Sequence, residues 1–252
     1  MFFRLLPWEY GIRNLFRRPL RSGLTLLALT TVTLMVLVVV GFVRGLERSL
    51  EVSGDARTAI VFSLGMGENL EYSSIEMGTT DLLAASIQGV QERYGRKYAS
   101  PELYLGTKIR LSENSPESLG LVRGLLPAAL LVHRQVEIMD GQWPQAGEVL
   151  VGRLAATKLG IAAHQLTVGS TVWFEGRSWR VCGTFSAGSG TFESELWCRL
   201  DDLQQTLKRQ DLSLVAMTLG PNADFQDLNL FCKERIDLEL QAIRQTDYFA
   251  TL

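Results

Sequence analysis

The chain is short of the residues that most often carry chemistry: its 252 residues include two histidines and three cysteines. Neither His133 nor His164 stands in an H-E-x-x-H or related ligand set, so no metal site is offered and both read as surface or satisfied residues. An odd cysteine count in a chain of this size is no disulfide framework. Cys182 and Cys198 fall on neighbouring predicted strands and would be placed to pair in an oxidising compartment, although three small buried hydrophobes is the plainer reading. A phosphate loop is absent: Gly183 and Gly188 have the spacing of its two glycines, but Ser189 stands where lysine is required. Ser189 also lacks a nucleophile elbow, because Ala187 occupies the first glycine position. Glu193, Glu195, Asp201 and Asp202 read as solvated strand and helix-start residues, and nothing marks a catalytic pair. No repeat of about 20–50 residues and no low-complexity linker breaks the chain.

What is present is unevenly divided. Residues 1–43 carry Arg4, Arg13, Arg17, Arg18 and Arg21 against Glu9, a net of +4; the whole chain is at -2, which leaves -6 for the remainder. A nucleic-acid binder would carry its basic charge on the folded part, so that class is excluded. From Ser22 to Val43 no residue is charged. As a helix this run is about 33 Å long, enough for a hydrocarbon core of about 30 Å. It leads into GFVRGLERSL without an A-x-A-like site and reads as an uncleaved anchor. Arginines dominate before it, whereas Arg44 and Arg48 after it alternate with Glu47 and Glu51. That bias puts the N-terminus in the cytoplasm, the span in the inner (plasma) membrane and everything after Arg44 outside.

The first 21 residues have a pattern of their own. Trp8, Ile12, Leu15 and Phe16 share one side at helical spacing, while Glu9, Arg13, Arg17 and Arg21 follow at four-residue steps on another, with Arg18 beside them. This predicts a basic amphipathic helix on the inner leaflet, Trp8 and Tyr10 at headgroup depth, with membrane lipids as its partner. Pro19 separates it from the crossing helix. Gly23, and Gly41 with Gly45 as a G-x-x-x-G, permit close packing of a second helix.

The body, residues 44–252, alternates strand and helix patterns. ARTAIVFSL reads as a strand, TTDLLAASIQGVQERYG as an amphipathic helix, and YASPELYLGTKIRL as a long strand. SLGLVRGLLPAALLVHR gives a strand and then a turn or short helix begun at Pro127; EVLVGRLAATKLG gives a strand and a helix ended by Gly160. TVWFEGRSWRVCGTF is a hairpin turning at Glu175 and Gly176. ESELWCRLDDLQQTLKRQ is a strand feeding a helix, SLVAMTLG a strand, and NADFQDLNLFCKERIDLEL a helix. The fold class is α+β, a two-lobed extracytoplasmic domain behind one membrane helix.

The head WEYGIRNLFRRPLRSGLTLLAL resembles the start of permease subunits of MacB-type ABC systems, the group that includes FtsX and LolC/LolE. Independently, MDGQWPQAGEVLVGRLAATKLG and VGSTVWFEGRSWRVCGTFSAGSGTFESELWCRLDDLQ resemble the periplasmic core domain of that family. Its G-x-x-P, E-V-x-V-G, Leu-Gly, V-G-x-x-V and V-x-G segments occur here in order, through Gly141, Pro144, Glu148, Gly160, Gly169 and Gly183. These are structural positions: turns, a helix cap and strand starts, with Trp143 expected in the core. The resemblance implies a porter-like lobe from residues 44–129 and 201–252 and a mainly β inserted lobe from 130–200. It implies no bound cofactor and no catalysis by this chain, since ATP is used by a separate cytoplasmic ABC ATPase. It also implies partners: the remaining transmembrane half or a second permease copy, and a periplasmic adaptor. The family has four crossings, three after the core domain, so the run to RQTDYFATL reads as the first part of a subunit, truncated or split, with Tyr248 and Phe249 near the membrane interface. A single-span receptor or adaptor, and a membrane-anchored enzyme, are the alternatives.

Overall fold

The computed structural model describes residues 19–53, 55–67, 69–112, 115–188 and 191–251. The surface helix expected around Trp8, Tyr10, Ile12, Arg13, Leu15, Phe16, Arg17 and Arg18 lies outside the described residues, as does Ser189. The chain divides after Arg48 into a helical unit and a body.

Helix α1 is described over Pro19–Ser53. Its apolar part, Pro19–Gly45, has 27 residues and a mean hydropathy of 2.7. At about 40 Å it is longer than the run expected from Ser22 to Val43 and long enough to cross a bilayer. Leu20, Leu29, Val36 and Phe42 are all more than half exposed, so the helix has no polar face to turn outward. Thr25, Thr31 and Thr33 donate to the carbonyls of Arg21, Leu27 and Leu29 at 2.8–2.9 Å, which closes their hydroxyls within the helix as a lipid surrounding requires. Arg21 is exposed at its start. A Cβ added at Gly23, Gly41 or Gly45 would meet no atom of the described residues within 4 Å.

The body contains strands β1 (Thr58–Ser63), β2 (Glu92–Arg93), β3 (Arg96–Lys97), β4 (Ala99–Ile109), β5 (Ser118–Leu125), β6 (Glu137–Gly141), β7 (Glu148–Gly152), β8 (Thr171–Phe174), β9 (Arg177–Ser186), β10 (Glu195–Arg199), β11 (Leu214–Thr218) and β12 (Leu240–Arg244). Helices α2 (Thr79–Ser86), α3 (Ala129–Val132), α4 (Ala155–Leu159), α5 (Leu200–Leu207), α6 (Phe225–Glu234) and α7 (Gln245–Thr251) lie between them. The large sheet runs β12-β1-β11-β4-β5-β10-β7-β9-β6, with β8 also on β9.

Strand β4 belongs to two structures at once. Its residues Ala99–Glu102 pair with β11, completing a half-sheet β12-β1-β11-β4. Its residues Leu103–Ile109 pair with β5. Beyond that, Arg110 and Trp173 exchange both backbone hydrogen bonds at 2.9 and 2.7 Å. This joins β8 to the end of β4 and closes β4-β5-β10-β7-β9-β8 into a small barrel filled by its own side chains, among them Leu103, Val122, Val149, Trp179 and Leu196. In the half-sheet, Ala59 and Val61 of β1 enter the same core as the barrel residues, while Ile60 and Phe62 enter a second core on the opposite face. Burial on both faces explains why Ala59–Phe62 reads as an unbroken apolar run.

Several expectations hold: Glu175 and Gly176 form the β8–β9 turn with φ of 51° and 69°, and Gly160 ends α4 at φ 68°. Others are corrected. The helix expected through residue 95 stops at Ser86, because Gly89 takes a φ of 77° and the chain then makes the β2–β3 hairpin. The last expected helix ends at Glu234 and gives way to a 3-10 turn and β12. Tyr248 and Phe249 are buried in α7 against the second core, with the Phe249 ring edge-on to Phe192 at 5.6 Å, so both rings are taken up by packing within the body. Cys182 and Cys198 are unpaired: β7 lies between their strands, and their side chains enter different cores.

Candidate functional site

Where β4 passes from half-sheet to barrel, four charged or polar side chains are buried together. Glu102 is the last β4 residue paired with β11. Arg123 extends from β5 on the same face and donates to Glu102 Oε2 through Nη1 at 2.7 Å. The guanidinium also grips Glu195 of β10 with two bonds, Nε to Oε2 at 2.8 Å and Nη2 to Oε1 at 2.6 Å. Trp197 Nε1 donates to Glu195 Oε2 at 2.8 Å, and His133, just after α3, lies with Nε2 2.6 Å from Glu102 Oε1. Parallel and antiparallel register put Tyr104, Arg123 and Trp197 side by side across three strands, so the cation rests 4.6 Å above the Tyr104 ring and 5.1 Å from the Phe192 ring. None of the four is more than 6% exposed.

Burial alone would raise the pKa of Glu102, but attraction to His133 and Arg123 and the bonds from both hold it down at about 2. The sign of the pH effect follows. A carboxyl lowered on folding stabilises the fold above its ordinary value of about 4.3 and loses that stabilisation as pH falls through the folded value. Trp197 fluorescence is therefore expected to report an intact junction until pH drops well below 4. In a His133→Gln variant the acid transition is expected to move up by about one pH unit; an unmoved midpoint would remove His133 from the account.

No substrate can reach this cluster, and its chemistry is that of a strut. Breaking such a group leaves an uncompensated charge in a low dielectric. From sequence, Glu195 and Glu193 are expected in solvent and His133 at the surface or satisfied. Glu195 is fully buried, and His133 is buried with its Nδ1 unpartnered. Glu193 is buried as a tether: Oε1 accepts from Ser186 Oγ at 2.7 Å and Ala187 N at 3.0 Å, and Oε2 from Arg153 at 2.9 Å. Asp202 is also buried and accepts from Gly147 N at 2.9 Å, whereas Asp201 is exposed as expected. One signal was available: a strand with apolar residues on both faces, such as SLGLVRGLL, cannot hide an arginine without a buried counter-charge.

Two of the motif positions form a second feature, a pair of glycines. Gly141 of β6 faces Gly183 of β9. A Cβ on Gly141 would stand 2.0 Å from the Cys182 carbonyl oxygen, and one on Gly183 2.3 Å from that of Asp140. The contact is this close because Cys182 is an extra residue in β9: Val149 pairs with Val181 but Leu150 with Gly183. Trp143 is half-buried against the second core and Pro144 is buried. Glu148 closes the turn before β7 by accepting from Gln145 N at 3.0 Å. Gly169, at φ 90°, donates to Val181 O. Among the described residues no group of histidine, cysteine and acidic side chains is arranged to hold a metal.

The model of the MacB-like periplasmic core domain matches residues 22–229, most of the chain. No curated protein sequence matches. Among solved structures, the periplasmic region of MacB from Actinobacillus actinomycetemcomitans superposes with a TM-score of 0.58 at 12% identity, covering 79% of this chain and 94% of that one. The extracellular domain of the noncanonic ABC-type transporter YknZ from Gram-positive bacteria gives 0.54 at 16% identity, covering 74% of this chain and all of that one. At such identities the likeness is one of fold, a mixed α/β body with a large sheet. The chain belongs to the MacB-like periplasmic core domain family, the extracytoplasmic part of MacB/FtsX-type ABC transporter permeases.

Proposed function

We propose that this chain is the force-receiving part of an ABC permease, carrying movement driven by a separate cytoplasmic ATPase into an extracytoplasmic body that exports or extracts a substrate. The observation that carries the proposal is how the chain comes into the body. β1 and β12 are antiparallel neighbours, with Ala59 opposite Arg244. Just before them, Asp55 N donates to the Gln245 side chain at 2.9 Å, and Gln245 is buried. β1 and β12 are therefore tied to each other at the end where the chain arrives from α1, and a pull on α1 acts on both strands as one. From there β11 and β4 lead into the barrel, and the Glu102–Arg123–Glu195 strut holds the two halves in register. The half-sheet and barrel are proposed as the two lobes, the barrel drawing β4 and β5 from outside residues 130–200.

In this reading α1 sits in the inner membrane with its N-terminal side cytoplasmic, packing through Gly23, Gly41 and Gly45 on other spans of the permease or on a second copy. The chain binds no nucleotide and catalyses nothing itself, and its body meets a periplasmic adaptor. Purification of the full chain in mild detergent, followed by identification of what comes with it, tests the proposal. An ABC ATPase and further membrane spans are the expected companions; the chain isolated alone from cells that contain such an ATPase would favour a single-span receptor.

A further inference from the structure

The β2–β3 hairpin has no part in the strut or the glycine pair. Its turn is Tyr94–Gly95 with φ of 53° and 74°, a geometry that asparagine–glycine takes without strain and a bulky aromatic does not. Tyr94 at the apex is 92% exposed. Arg93 and Arg96 stand exposed on either side, with the Arg93 guanidinium 5.1 Å from the Tyr94 ring. A strained, fully exposed aromatic between two arginines contributes nothing to the core, and strain retained at such a site points to a use.

The base of the hairpin is rigid. Ile87 and Val90 are buried, and Lys97 Nζ donates to the Ala84 carbonyl at the end of α2. Gln91 N donates to Thr218 O, and Thr218 N to Tyr98 O. Thr218 is the partner of Thr58, where the chain first joins the sheet. The hairpin thus prolongs the start of β4 beyond the sheet, at the end where the chain arrives from α1. Four residues from Tyr98 to Tyr94 carry the tip about 13 Å past that end. Twelve residues separate Gly45 from Thr58, the first eight of them helical, a length of chain that can span at most about 30 Å. Arg57 and Arg244 are exposed at the same end, with Glu92, Asp224 and Asp247 among the acidic residues there; Asp55 is paired with Arg57 and Arg134, and Asp224 caps α6.

We infer that the hairpin is a finger that rests on anionic phospholipid headgroups, Tyr94 at the interface and Arg93 and Arg96 on the phosphates. Tyrosine suits that depth, having an apolar ring and a polar tip, and arginine suits phosphate. The finger would fix the height and tilt of the body above the bilayer. The inference rests on α1 being the anchor.

The test places an environment-sensitive dye at Glu92→Cys, beside an intact Tyr94, in the full chain reconstituted into vesicles of phosphatidylcholine with or without phosphatidylglycerol. The three native cysteines are buried and do not compete for the label. A blue shift is expected in the anionic vesicles, reduced by salt, and lost in Tyr94→Gly and in Arg93→Glu/Arg96→Glu, with a thermal midpoint equal to or above that of the parent in Tyr94→Gly. Identical spectra in both vesicles, a shift that survives Tyr94→Gly, or a shift that needs an added acidic protein would each overturn it. Flotation with the vesicles reads the anchor separately: a chain that fails to float contradicts α1 as a span, while one that floats without a shift contradicts only the finger.

Discussion

Replacing Arg123 with methionine is expected to destabilise the body by about 3–5 kcal/mol, the cost of leaving buried carboxylates without their cation. Glu102 and Glu195 would then face one another across β5 with Trp197 Nε1 and His133 as their remaining partners. Thermal unfolding of the full chain in detergent, followed through Trp197 and Trp179, both fully buried, measures the loss. A triple replacement of Glu102, Arg123 and Glu195 by apolar residues of matching volume is expected to recover much of it, since removing every charge removes the desolvation cost as well. If the single and triple variants were equally damaged, the role of Arg123 would be packing over Tyr104 and Phe192 and not charge.

Gly141→Val is expected to cost about 3 kcal/mol or more, combining backbone strain with a backbone clash. The side chain would have to displace the Cys182 carbonyl, at a φ of 82° that valine does not adopt. Gly160→Ala is the control. Its φ of 68° is also positive, but nothing lies within 4 Å of the added Cβ, so about 1 kcal/mol is expected. The difference between the two variants reports the close approach of β6 to β9 together with the added strain of a β-branched residue at positive φ. Similar losses in both would mean that the strands separate at little cost and that the bulge at Cys182 does not fix their spacing.

The order of elements was readable where local chemistry decides it. Glu175–Gly176, Gly160 and the run TAIVFS each carry a turn, cap or core signal within a few residues. The sequence also carried the family resemblance through positions that prove structural: Gly141 and Gly183 were seen as separate turn markers, and only pairing across β6 and β9 shows that they serve one contact. The strut was missed because its members come from residues 102, 123, 133 and 195 and meet only when β4, β5 and β10 are in register. Glu195 looked solvated since a carboxylate in isolation is usually so; its burial depends on an arginine 72 residues away. Likewise Tyr248 and Phe249 carry the composition of an interface and the position of a core, a distinction made by α7 folding back on Phe192. The β2–β3 hairpin was hidden in a helical pattern that Gly89 interrupts.

The central claim is that motion of the membrane helix is delivered to the body through β1 and β12. Hydrogen exchange on the full chain in its membrane complex, compared between ATP-bound and nucleotide-free states of the partner ATPase, tests it most directly. Altered exchange is expected at residues 55–63 and 240–251, with the backbone around Glu102, Arg123 and Glu195 unchanged in both states. Identical exchange across the whole body, whatever the nucleotide, would contradict the claim.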